Sequence, residues 1–391
     1  MVRPPASPVL LLASAVLVAA AASCVDEADC TLSGACVNGT CVCDQPWMGA
    51  SCEKLRLKPA RLARPFDPPK PTPDHFTWGA APFYADDGTG RVCMYFTWLT
   101  GWADGNHTRP VPESDTVSGS LGLACAAEVG GPYLVVENVS FPFRPGHFDS
   151  AYIENTVVLR APRQDGWFMA YTTSPPGVNR STVNWEGNGE TQYMGIAFTH
   201  DLMRGAWQRL NRTILQPRPD GFESGIAINP AVVAYDNGSL SVMYRGRADD
   251  GFGNCFMQSW TSPCVRPRTN LFPDPRWVKA EDPFAYLGPR GYIMIAHTFR
   301  HPPYVAGGSG TKAFSIDGVH WTFAGYDTYS YTLELEDGSS ESFYRREEPK
   351  LLFDADGTPR ALFNVVDPNF LYNETRIIVQ ELDYSQQQSR E

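Results

Sequence analysis

Apolar and polar positions along this chain fall into short bursts, and five of those bursts share one form. They are Ala81-Pro82-Phe83-Tyr84, Asn155-Thr156-Val157-Val158, Asn229-Pro230-Ala231-Val232, Asp282-Pro283-Phe284-Ala285 and Glu348-Pro349-Lys350-Leu351. Each opens an apolar run and meets a Gly-containing turn such as Asp87-Gly88 or Asp356-Gly357. A second run follows, as in Leu240-Ser241-Val242-Met243-Tyr244. Apolar runs of this length around tight turns predict hairpins. Third-strand segments recur as well. Met194 to Thr199 and Lys312 to Ile316 each lead to an acidic turn and then to Trp207 or Trp321. No long amphipathic helix stands out. Five units of about 60 residues predict an all-β fold, a five-bladed β-propeller. It is expected over residues 76–385. A large β-sandwich is the alternative, but it would not need the repeated opening.

Inner strands of a propeller converge on one axis, so residues just before the five anchors are candidates for one shared site. The pairs are Ala80-Ala81, Glu154-Asn155, Ile228-Asn229, Glu281-Asp282 and Glu347-Glu348. Carboxylates brought together on an axis shift one another's pKa values, which supplies the unequal acid pair that glycosidic cleavage uses. Asp149 and Glu223 lie just upstream of two anchors and are candidates for the rim. Asn155 and Asn229 suit sugar hydroxyls, and Trp78 offers a ring face to sugar C–H groups. Arg345, Arg346, Arg245 and His297 are the cations suited to a phosphate.

Composition agrees with a turn-rich β protein. The chain has 391 residues, 43% hydrophobic and 19% charged, with 33 Pro and 34 Gly. A net charge of −11 without a basic block argues against nucleic acid as a partner. Residues 1–23 read as a signal peptide: Arg3, an apolar run from Val9 to Ala22, and small residues around Ala22-Ser23. Seven glycosylation sequons, Asn38 to Asn373, fit a secreted glycoprotein. Residues 53–75, rich in Pro, Lys and Arg, read as a linker, and 386–391 as a disordered tail. Six of the ten cysteines lie in residues 24–52, a segment too short for a core of its own and dependent on disulfides. Their spacing alone leaves fifteen connectivities open. Cys255–Cys264 and Cys93–Cys125 are further pairs expected from proximity.

The run Cys41-Val42-Cys43-Asp44-Gln45-Pro46-Trp47, with Gly49 and Cys52, resembles an EGF-like domain. The resemblance implies the pairs Cys24–Cys36, Cys30–Cys41 and Cys43–Cys52. It also implies a spacer or adhesive role with an extracellular protein partner. No calcium is expected in this module, because Ala22-Ser23 stand where acidic ligands would precede the first cysteine. The large domain resembles the propeller glycosidases of glycoside hydrolase families 43, 32 and 68 and the mannoside phosphorylases of family 130. The resemblance rests on Glu281-Asp282-Pro283, Ser315-Ile316-Asp317-Gly318-Val319-His320-Trp321 and Arg345-Arg346-Glu347-Glu348-Pro349. It implies Asp282 as transition-state stabiliser and Glu347 as general acid. It puts the first-blade nucleophile or base at Ala81, and an alanine can be neither. Either a base comes from Asp74, Asp149 or Glu154, or the domain only binds, or it acts by phosphorolysis with a single general acid.

The expected activity is that of a secreted, extracellular glycoside hydrolase-like protein, inverting, acting on an oligo- or polysaccharide. A carbohydrate-binding or adhesive protein without catalysis and a glycoside phosphorylase are the alternatives. No cofactor is expected, with a structural calcium ion in the channel, near His297, left open.

Overall fold

The computed structural model describes residues 23–70, 75–99, 119–137, 139, 141, 144, 146–150, 153–174, 192–218, 221–223, 225–246, 251–267, 270–272, 280–298, 310–369 and 374–385. The proposed signal peptide, the polar tail, Asp74 and the sequons at Asn106, Asn138, Asn179 and Asn373 lie outside the described residues.

Five antiparallel sheets make a five-bladed propeller. Blade 1 is β5 (Phe76–Tyr84), β6 (Val92–Leu99), β7 (Gly119–Ala126) and β8 (Leu134–Val136). Blade 2 is β9 (Ile153–Arg160), β10 (Trp167–Thr173), β11 (Tyr193–Thr199) and β12 (Gln208–Arg209). Blade 3 has three strands, β13 (Ile228–Ala234), β14 (Leu240–Arg245) and β15 (Phe252–Met257). Blade 4 is β16 (Ala280–Gly288), β17 (Gly291–Thr298), β18 (Gly310–Ser315) and β19 (Thr322–Tyr326). Blade 5 is β22 (Arg345–Phe353), β23 (Pro359–Asp367) and β24 (Arg376–Glu381), preceded by the hairpin β20 (Thr332–Glu334) and β21 (Ser340–Ser342).

Core side chains sit between blades. Phe83 and Tyr95 of blade 1 pack with Met169 and Tyr171 of blade 2, and the hydroxyl end of the Tyr171 ring crowds against Gly195 on the next strand. A Cβ there would stand 2.3 Å from the ring, so glycine at 195 is what lets this aromatic fill the gap. Trp207 and Trp321, expected after the third strands, are buried and donate to Tyr95 Oη and to the Gly318 carbonyl.

The stretch after Cys52 does more than connect. The Lys58 amide donates to the Glu381 carbonyl, the Asp383 amide to the Arg56 carbonyl, and Leu57 and Phe66 bridge to Leu382 and Ile377. Ala60 also bridges to Leu335 of the β20–β21 hairpin. These residues lie along the open edge of β24 and give blade 5 its missing outer strand. The basic side chains are paired there as well, Lys58 with Glu381 and Arg61 with Glu128.

The ten cysteines form five disulfides, Cys24–Cys36, Cys30–Cys41, Cys43–Cys52, Cys93–Cys125 and Cys255–Cys264. The N-terminal module, with β1 (Gly34–Val37), β2 (Thr40–Cys43), β3 (Trp47–Met48) and β4 (Lys54–Leu55), is docked on blade 4. Leu32 and Trp47 share a core with Ile295 and Phe314. Arg290 pairs with Glu27 and Asp44. Lys312, 1% exposed, runs from β18 into the module. Its ammonium donates to Thr31 Oγ1 at 2.8 Å, Ser33 Oγ at 2.7 Å and the Cys52 carbonyl at 2.8 Å, over the ring of Trp47. Five disulfides fit an oxidising compartment, and among the described residues no helix is long and apolar enough to cross a membrane.

Candidate active site

Every inner strand carries one extra residue against its neighbour at the same step. The register jumps between Trp78 and Ala81, Glu154 and Val157, Ile228 and Ala231, Glu281 and Phe284, and Glu347 and Lys350. Each bulge holds a residue in the left-handed region: Gly79 (φ 59°), Asn155 (50°), Asn229 (54°), Asp282 (55°) and Glu348 (51°). Gly, Asn and Asp adopt this conformation most readily, so four of the five residues suit it and Glu348 is the exception.

The bulges correct the first-blade alignment. The equivalent of Asp282 is Gly79, not Ala81, which lies two residues further on and packs in the core with Phe83. Trp78 stands at the step that Glu154, Ile228, Glu281 and Glu347 hold on the other blades. The first blade still offers no acid there.

The left-handed side chains meet around the axis. The Trp78 indole donates to Asn155 Oδ1 at 3.1 Å, Asn155 Nδ2 to Asn229 Oδ1, and Asn229 Nδ2 to Asp282 Oδ1. The Glu348 amide donates to Asp282 Oδ2 at 3.2 Å, and Lys350 pairs with the Glu348 carboxylate at 3.1 Å. One residue earlier on the strands, Glu281 and Glu347 flank His297. Its Nδ1 lies 3.4 Å from Glu281 and its Nε2 3.8 Å from Glu347. Arg245 pairs with Glu281, and Arg345 with Glu347 at 3.4 Å.

The four acids are buried, from 1% exposed at Glu348 to 9% at Glu281. Burial raises the pKa of Asp282, and raises those of Glu347 and Glu348 well above the usual carboxylate range. Arg345 acts against the rise at Glu347, and neighbouring carboxylates add to it. Burial pushes His297 down to about 3, so the imidazole is neutral at physiological pH. Four acids then face three cations, Arg245, Arg345 and Lys350.

Glu281, Asp282, His297 and Glu347 each present one donor atom, all within 4.8 Å of one another. Three carboxylates and an imidazole can hold a divalent cation. Arg245 and Arg345 already neutralise two of these carboxylates, so an ion there would take over charge that the arginines supply.

Other candidates lie elsewhere. Asp149 is fully buried between Arg209 at 3.1 Å and the Tyr171 hydroxyl at 3.0 Å, and Arg209 stacks on Phe141. Burial and these partners hold it in the wall of blade 2, outside the axial cluster. Glu223 is held in the same way by Tyr244 and Arg266. Arg346 alternates to the opposite face from Arg345 and Glu347. It donates to Asn364 Oδ1, Gln380 Oε1 and the Ser330 carbonyl within blade 5. Glu154 is buried at the register step of Glu281 and Glu347, opposite Thr172. Lys350, which neutralises Glu348, carried no sequence signal beyond its two-residue spacing along the strand.

The sequence matches no known protein-family profile and no curated protein. Its fold matches solved structures at low identity. One is a family 117 glycoside hydrolase from the marine bacterium Zobellia galactanivorans, 13% identical, TM-score 0.54, covering 85% of this chain and 90% of that one. A structure from the family 130 mannoside phosphorylases, described as containing hydrolases that target β-1,2 mannosidic linkages in Candida mannan, is 9% identical with TM-score 0.54. It covers 83% of this chain and 94% of that one. Fructan 1-exohydrolase IIa from Cichorium intybus is 12% identical with TM-score 0.50, over 87% of this chain and 58% of its own. What this chain shares with all three is the five-bladed propeller.

Proposed function

We propose that this protein is a secreted glycoside hydrolase-like enzyme acting on an extracellular oligo- or polysaccharide. One observation carries the reading: three glutamates, Glu154, Glu281 and Glu347, stand at the same register step of three inner strands. Glu347, kept protonated by burial, is the general acid. Asp282 and Glu281 tune it.

Glu281 is too close to serve as an inverting base. Its donor oxygen lies within 4.8 Å of that of Glu347, whereas inversion needs carboxyl groups about 6.5–9.5 Å apart to admit a water. Blade 2 is two steps round the ring from blade 5, which favours a wider spacing from Glu347 for a residue at this step, and we assign the base role to Glu154. Asp149 has none. The propeller fold shared with carbohydrate-active enzymes supports a carbohydrate substrate, and the disulfides support an extracellular setting. The N-terminal module, EGF-like in its cysteine spacing, serves as a fixed part of the enzyme.

Glycan binding without turnover is the second reading, favoured by Trp78 and Gly79 at the first-blade step where the resemblance calls for an acid. Phosphorolysis is less well supported, because Arg245 and Arg345 are engaged by Glu281 and Glu347. A screen of aryl glycosides and oligosaccharides, with product anomers followed by NMR, separates the readings. Glu347→Gln should lower kcat by about a hundredfold or more on glycosides with poor leaving groups. Activity within tenfold of wild type in that variant removes Glu347 from the acid role. Binding without turnover in both proteins favours the second reading.

A further inference from the structure

The left-handed residues of blades 2 to 4, Asn155, Asn229 and Asp282, do more than bend their strands. Trp78, Asn155, Asn229 and Asp282 form one hydrogen-bonded arc around the axis. Its polarity is fixed by chemistry at the Trp78 end. An indole N–H only donates, so Asn155 must accept through Oδ1 and donate through Nδ2. The same then holds at Asn229, which presents its NH2 to the Asp282 carboxylate. The Glu348 amide takes the other oxygen of Asp282. Both oxygens are therefore gripped by neutral donors, and rotating the carboxylate would break both bonds.

Resting on the glycosidase reading above, we propose that Trp78, Asn155 and Asn229 are positioning residues that fix the Asp282 carboxylate beside Glu281 and Glu347. This gives the first blade a role without an acid. A carboxylate at position 78 would be an acceptor and would reverse the arc. Asn229 would then turn its oxygen toward Asp282, oxygen against oxygen. A tryptophan is the donor-only end that the arc needs.

The test has two parts. The indole N–H resonance of Trp78 is assigned in an amide-type correlation spectrum by its loss in Trp78→Phe, and is then followed in Asn229→Ala. That substitution lies two links along the arc: it removes the bond that Asn155 Nδ2 donates to Asn229 Oδ1, not the indole's own bond to Asn155 Oδ1. The arc predicts a displaced resonance. It also predicts that Trp78→Phe and Asn229→Ala lower kcat about ten- to hundredfold with KM within about twofold, while Trp78→His, which keeps a ring N–H, recovers part of the loss. An unmoved resonance overturns the arc itself, whatever the activity. A moved resonance with unchanged kcat, in a protein that Glu347→Gln inactivates, overturns the positioning role. Wild-type protein that turns over no glycoside overturns the glycosidase reading and the kinetic claim with it, and leaves the resonance to judge the arc.

Discussion

Replacing Lys312 with alanine should unseat the N-terminal module from blade 4. Lys312 makes three hydrogen bonds to the module and lies 3.7 Å from the centre of the Trp47 ring. Truncating a large buried side chain to alanine costs about 2–5 kcal/mol through lost packing and the cavity left behind. Each acceptor left without its donor adds about 1–3 kcal/mol, less whatever relaxation returns. Against this stands the relief of no longer burying an amine in a mostly apolar setting. A net loss of about 3–5 kcal/mol follows for Lys312→Ala. Lys312→Met keeps most of the volume, removes the buried amine and should lose only about 1–2 kcal/mol. At this chain length each kcal/mol moves Tm by about 2 °C, so alanine should lower it by roughly 6–10 °C. Circular dichroism melts under non-reducing conditions measure both variants, and limited proteolysis shows whether the module is cut first. An alanine variant within about 2 °C of wild type, or a methionine variant less stable than alanine, refutes the lock.

Burial lowers the Lys312 pKa well below its ordinary value, with Glu53 acting against the shift. The folded protein then binds fewer protons than the unfolded chain from that lowered value up to about 10.4, so this group's contribution to stability rises with pH across that window. Lys312→Met should flatten the rise in Tm between neutral and alkaline pH, and parallel curves for the two proteins would show that the lysine stays charged when folded. Asp149→Ala strands the Arg209 guanidinium, whose side chain is 2% exposed, and should cost about 3–5 kcal/mol in a urea titration. The folded fraction should keep its kcat; unchanged stability with a tenfold loss of kcat would make Asp149 a base after all.

The sequence carried the fold further than the site. Asn-Pro, Asp-Pro and Glu-Pro announce the bulges of blades 3, 4 and 5 because the left-handed residue stands directly before proline in each. Blade 1 breaks the rule. Pro82 lies beyond its bulge, and the residue that marks the turn is Gly79, the type most suited to positive φ. Reading backbone conformation instead of the proline would have aligned all five blades. Period two along β22 already put Arg345 and Glu347 on one face and Arg346 on the other. In sequence Asp149 and Glu223 stand just upstream of an apolar run, much as the axial acids do. Only tertiary packing decides that Tyr171 and Tyr244 capture them in the blade walls. The prolines of residues 53–75 favour extended chain, but an extended chain without alternation gives no sign that it will pair with a sheet.

Pairing of that segment with β24 makes blade 5 the most expensive sheet to complete. Lys58 and Glu381, which face each other there, are 323 residues apart in sequence. Closing a flexible loop of that length costs about 5 kcal/mol of chain entropy before any contact forms. During synthesis the outer strand emerges early and must wait while four blades are made. Until it returns, β24 shows a bare edge able to pair with another chain. The blade that carries Glu347 and Glu348 is therefore the last to gain its full width, and slow ring closure is where this protein is most exposed to misassembly.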